Sequence, residues 1–433
     1  MTKTQSPMVF RSAAIVVWLV LCTITFAQAA FDAKQFGAKG DSKNDDTTAI
    51  QSALDAAGKV GGGVVQLPAG QYRINGSLSV PSGVALEGVW RAPHHSDQSW
   101  GSALFAHGGR GSDTGAALVE LQPSACIKGV TIYYPAQTTD AITPYPYSIR
   151  LRGMNGTVED VTLANSYQGI DVGTHPNELH MIRDVYGCVL RTGIFVDKCT
   201  DVGRIENVHF NPHYWGRVKL PAGQPAVDWQ KMLGYINANC EPFVFGRTDW
   251  EYVTNTFAFG FKNCYKFIQT KDGACNGQFS GIGADGGVCC LRVEDVQPMG
   301  LLITNGQFVA FEGANPVQLE TAASFDGAVQ LSNCAFWGDS VALARLEGSG
   351  HVSLNQCVFL NCGKGDRSSA AIIARGGSLV VNNCQFKTSR NRFFDLTGVR
   401  SATITNNVFA GRAGIKDSPT SGIIVGQNVE QTR

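Results

Sequence analysis

Charge is the first scarcity. Asp, Glu, Lys and Arg make up only 16% of the 433 residues, and 35 basic side chains cancel 35 acidic ones. A chain with no net field is not built to hold nucleic acid or an anionic membrane by charge, so neither partner is expected. The same numbers exclude a helical bundle, whose surface helices need more charge and far fewer than 50 glycines. Paired metal-binding cysteines are missing as well. Cys289 and Cys290 are adjacent and no CxxC pair occurs, so no zinc frame is expected. Long apolar runs end early, because none follows Ala13–Phe26.

That single run lies behind Lys3 and Arg11 and ahead of Ala27-Gln28-Ala29, the small-x-small pattern that a signal peptidase cuts. It is shorter than the ~20 residues of a comfortable membrane span. Residues 1–29 are therefore expected to be a signal peptide. Residues 30–433 are expected to be one soluble domain, secreted or periplasmic. Removing Cys22 leaves an even number of cysteines in an exported chain, which invites a disulfide reading.

What the sequence has in quantity is short β runs separated by Gly, Ser, Asn and Pro. One helix precedes them. Ala49, Ile50, Ala53, Leu54 and Ala57 recur at helical spacing, predicting a helix over Asp46–Ala57 with Asp45 and Asp46 at its N-terminus. Gly61-Gly62-Gly63 ends it, and no later segment reads convincingly as helix. The β runs repeat. Val158, Ile182 and Ile205 head equivalent segments offset by 24 and 23 positions, after a similar one at Ile127. Phe308, Phe336, Phe359, Phe386 and Phe409 follow at steps of 28, 23, 27 and 23. A period in the twenties means a solenoid whose turns stack their strands. The leucine-rich alternative needs an LxxLxL frame, which is absent.

Stacking accounts for the neighbours of those phenylalanines. Asn305, Asn333, Gln356, Asn383 and Asn406 lie three residues before them, where amides at ~4.8 Å spacing could form a hydrogen-bonded ladder. Cys334, Cys357 and Cys384 lie two residues before, as a buried column of free thiols; rung-to-rung disulfides are the alternative.

Phe36-Gly37-Ala38-Lys39-Gly40-Asp41, Asp45-Asp46-Thr47-Thr48-Ala49-Ile50 and Gly62-Gly63-Val64-Val65-Gln66-Leu67-Pro68-Ala69-Gly70-Gln71-Tyr72 together resemble the pectate-lyase-like superfamily. They are most similar to its rhamnogalacturonase/epimerase-like branch. The resemblance covers about residues 31–90 and implies an all-β, right-handed parallel β-helix with a short N-terminal capping helix. It also implies a polysaccharide or glycan as partner. It does not fix a reaction. The paired Asp-Asp of polygalacturonase-type hydrolases occurs only in the cap, and His351 lies in Ser349-Gly350-His351-Val352 rather than Gly-His-Gly. Where uronan epimerases carry Tyr-Gly-x-Asp-Pro-His, this chain has Phe210-Asn211-Pro212-His213.

Chemistry is expected where the repeat is interrupted, from about 211 to 246. Tyr214, Trp215 and Arg217 there, with Trp250 just beyond, are the candidate substrate-binding residues, since sugars present apolar faces and hydroxyl rims. Asp171, His209, His213, Asp249 and Glu251 are the candidate catalytic groups. Alternation places Asp171 and His209 on outward positions, His209 above Tyr186 and Thr162. Asp285 is a further acid in reach. An acidic polysaccharide cleaved by β-elimination is the leading expectation, with glycoside hydrolysis and non-catalytic glycan binding as the alternatives. No cofactor is required by this reading. Asp and Glu oxygens leave Ca2+ open, although no clustered carboxylate loop marks a site.

Overall fold

The computed structural model describes residues 30–89, 101–364, 368–388, 392–417 and 422–431. The expected signal peptide lies outside the described residues. The chain from Ala30 onward winds as a parallel β-helix with three strand faces, every strand pairing in parallel with the strand one coil on. No described helix is long and apolar enough to cross a membrane.

Inward positions form continuous columns. On the first face Val65, Leu86, Ile127, Val158, Ile182, Ile205, Val253, Phe279 and Ile303 stack in register, all essentially inaccessible. On the second face the phenylalanines stack from Phe308 to Phe336, Phe359, Phe386 and Phe409, with ring centroids 4.6–5.1 Å apart. Each coil thus buries its apolar side chains against identical positions above and below. The helix α1, Thr47–Lys59, packs Ile50, Ala53, Leu54 and Ala57 over the open end of the first coils. Asp46 does not cap it through its side chain. Its carboxylate instead accepts from the Lys39 and Gly40 amides, while Asp45 accepts from Thr47.

The amide column has a different cause from the one expected. Asn305, Asn333, Gln356, Asn383 and Asn406 all sit in the left-handed region at φ +53 to +58, as do Asp160, Asp184, Asn207 and Asn255 in earlier coils. Each is the single residue that turns the chain from the first face to the second. Asn and Asp tolerate this conformation better than other residues with side chains. Side-chain bonding along the column is partial, as in Asn333 to Asn305 at 2.7 Å. The residues one position on, Cys334, Cys357 and Cys384, do form an interior column, with Asn407 closing it. All twelve described cysteines are free thiols.

The interruption is shorter and more helical than expected. Glu241–Phe245 is a regular third-face strand paired with residues 192–196 and 265–267, so the insertion ends at Cys240. It contains a short helix α2, His213–Gly216, and a longer α3, Trp229–Asn239. Asp228 caps α3 by accepting from the Gln230 and Lys231 amides, and Met232 and Ile236 anchor it, one turn apart.

Candidate functional site

The expected catalytic constellation does not assemble. Asp171 occupies an outward position on the third face, between Arg150 and Phe195, whereas His209 lies on the second face between Tyr186 and Phe257. Asp171 is also not an exposed acid. It is fully buried, 2.6 Å from Arg150 Nε, and accepts from the Gly173 and Thr174 amides and the Thr174 hydroxyl. Asp249 stands apart again, paired with Arg247 and accepting from Gln297.

Glu251 is inside the coil. Alternation from Asp249 would leave it outward, but Trp250 adopts φ +56 and the strand register slips between Thr248 and Glu251. The carboxylate is thereby turned inward, 3.1 Å from His180 Nε2, and both residues are wholly buried. The Asn177 amide nitrogen donates to three carbonyls, which leaves its oxygen facing His180 Nδ1 at 3.1 Å. His180 therefore donates from Nδ1 and shares a second proton with Glu251 through Nε2. Burial alone would lower the imidazole pKa, but the Glu251 charge and hydrogen bond raise it to about 10. Thr248 donates to the other Glu251 oxygen at 2.7 Å, and a β-carbon at Gly203 would collide with both partners.

With Cys199, whose Sγ is 3.8 Å from His180 Nδ1, these form a His–Cys–Glu group close enough to consider for a metal. The thiol and the carboxylate flank opposite ring nitrogens, so the donors do not converge on one point, and the set lacks the oxygen ligands calcium takes. The arrangement is an internal ion pair.

The insertion buries its aromatic residues rather than displaying them. Tyr214 and Trp215 are 3% and 2% exposed, with Tyr214 packed on Tyr186 and edge-on to His209. These two residues hold the insertion to the second face and are not available to a sugar. His213 lies parallel to the Trp229 ring at 4.9 Å, and Arg217 sits over that ring at 5.0 Å. Trp250 is 61% exposed on a different corner.

The loop between α2 and α3 makes the open site. It runs back over the first coils, where Gln224 accepts from the Tyr133 hydroxyl at 3.1 Å, and encloses a cleft of about 500 Å³. Gln71, Phe105 and His107 form one wall, and Lys219, Leu220 and Gln224 the other. Phe105 packs edge-on to Tyr133. Burial, with help from the nearby Arg73 charge, lowers the His107 pKa, so the imidazole is neutral near pH 7. Burial also raises the Tyr133 phenol. Phe105, His107 and Tyr133 were not anticipated, although a signal exists: with Leu104 and Ala106 inward, alternation aims Phe105 and His107 outward.

The family described as rhamnogalacturonase A/epimerase, pectate lyase-like, matches residues 30–105. Among relatives, alginate lyase 7 of Azotobacter vinelandii is 54% identical over 56 residues, 13% of this chain and 6% of that protein. The mannuronan C5-epimerase AlgE1 of the same organism is 49% identical over 72 residues, 15% of this chain and 5% of that protein. Over nearly the whole chain the likeness is structural. The A-module of the A. vinelandii mannuronan C-5 epimerase AlgE6 superposes with a TM-score of 0.50 at 16% identity, covering 93% of this chain and 100% of that one. The chain is a right-handed parallel β-helix whose N-terminal residues 30–105 match the pectate-lyase-like family. A tailspike of E. coli bacteriophage HK620, solved in complex with a hexasaccharide, shares this β-helix fold at a TM-score of 0.51 and 10% identity, covering 88% and 71% of the two chains. The two A. vinelandii enzymes thus match only a segment of this chain, and that segment spans a small fraction of their own sequences. The family-matched residues 30–105 include Gln71 and Phe105 of the cleft.

Proposed function

We propose that this protein is exported and abstracts the C5 proton of a uronate in an acidic, alginate-like polysaccharide, cleaving the chain by β-elimination in the cleft. The observation that carries the reading is the cleft's composition. Hydrolysis of a glycoside calls for two carboxyl groups flanking the bond. Among the described residues none that lines the cleft is a carboxylate, and the nearby Asp41 and Asp45 are engaged by turn amides and Thr47. Elimination needs a neutral base and a cation facing the uronate. His107 and Lys219 are of those types, with Gln71 and Gln224 for hydroxyls.

In this scheme His107 takes the C5 proton, electrons close the C4–C5 double bond, and the C4–oxygen bond breaks as the leaving oxygen takes a proton from solvent water in the open cleft. Incubation with alginate and polygalacturonate tests it. Ultraviolet absorbance from an unsaturated uronate is expected, lost in His107→Ala and reduced in Lys219→Ala. Reducing ends without that absorbance refute elimination, and a fully active His107→Ala refutes the site.

A further inference from the structure

The insertion and the coils beside it share an aromatic line that the cleft does not use. Arg217 lies 5.0 Å over the Trp229 ring, Trp229 is parallel to His213 at 4.9 Å, and His213 is parallel to Phe259 at 5.8 Å. Phe259 and Phe311 then frame Gly286, a left-handed residue at φ +66. A β-carbon built on it would lie 3.5 Å from the first ring and 3.1 Å from the second, so only bare backbone separates them. Trp337 continues the line one coil on, where its register partner is Val309. Phe311 is 36% exposed and Trp337 41%, unlike the stacked phenylalanines of the interior.

Exposed rings in a row along a solenoid are unusual, because a monomer gains nothing by leaving such area in water. The row runs with the coil axis, where coils repeat every ~4.8 Å, close to the length of one sugar unit in an extended chain. Its charges offset one another: Arg217 and Lys364 stand against Asp285 and Glu312. The surface therefore grips by ring faces, not by net charge. It also begins in the same loop that contributes Lys219 to the cleft, two residues from Arg217.

We infer that this ridge is a second, non-catalytic binding surface, on which sugar rings of a linear polysaccharide stack as the polymer leaves the cleft along the solenoid axis. The inference rests on the reading above for the class of ligand, and not for the reaction. The test is binding to the full chain, with alginate and polygalacturonate polymers against their short oligomers. Phe311→Ala and Trp337→Ala remove exposed rings and leave the interior untouched, which circular dichroism would check.

Each variant is expected to weaken polymer binding roughly 2- to 10-fold, the range of one aromatic contact, and to leave short-oligomer binding unchanged. The ridge contribution should persist at high salt, where the cleft's ionic contribution fades. If the variants lose polymer binding while the parent forms no unsaturated product, the chemistry fails and the ridge stands. The ridge is overturned if both variants bind polymer like the parent, or if the parent binds neither polymer.

Discussion

Replacing Glu251 by Gln tests the internal ion pair directly. The amide has nearly the volume of the carboxylate and can still accept from Thr248, so packing is kept and the charge is removed. His180 is then left protonated on Nδ1 for Asn177 with no anion beside Nε2. Breaking one side of a buried pair costs about 3–5 kcal/mol, and an isosteric amide belongs at about 3 kcal/mol. The pH dependence has a defined sign. The imidazole pKa is raised from 6.5 to about 10 on folding, so its contribution is complete below pH 6.5 and is lost as pH climbs toward 10. Urea unfolding followed by circular dichroism at pH 6 and pH 9.5 measures both effects. The difference between parent and variant should be large at pH 6 and should shrink at pH 9.5. A difference below about 0.5 kcal/mol at pH 6, the scale of an ordinary surface change, or one that grows with pH, would refute the pairing.

Asp171→Asn should destabilise the protein by about 3 kcal/mol, because it strips the charge from a fully buried partner of Arg150. Any activity per folded molecule should survive, as measured after correcting for the folded fraction. Asn333→Ala should cost about 1–2 kcal/mol in urea unfolding and Asn333→Gly much less, since the position demands φ +54. Equal costs would point to the amide bond to Asn305 instead.

The fold was legible because a solenoid writes itself many times. The first-face residues Val158, Ile182 and Ile205 align in the structure as their spacing predicts, and so do the five phenylalanines. The site was legible only in part. Period-two alternation tells which way a side chain leaves its strand, and it placed Asp171 and His209 outward correctly. It says nothing of what lies on top, and Arg150 and Thr174 cover Asp171 while Tyr214 covers one side of His209. Nor does it survive a left-handed residue. At Trp250 one such residue reversed the alternation and sent Glu251 to the interior, where no count from Asp249 would put it. The α3 helix was missed although Asp228, Met232 and Ile236 mark its start and its buried side, because two buried residues alone carry a signal that the flanking loop dilutes.

The left-handed corner also acts as a ruler. From Asp160 to Asn406 a single residue makes the turn between first and second faces, while the other connections range from tight turns to the insertion that ends at Cys240. Length differences therefore accumulate only away from that edge, and the two strands flanking it keep their phase in every coil. A whole coil could be excised or duplicated with both cuts at this corner, changing the rod by about 4.8 Å and leaving the columns on either side unbroken. Family members of different reach could arise by such splicing without a new core having to be invented.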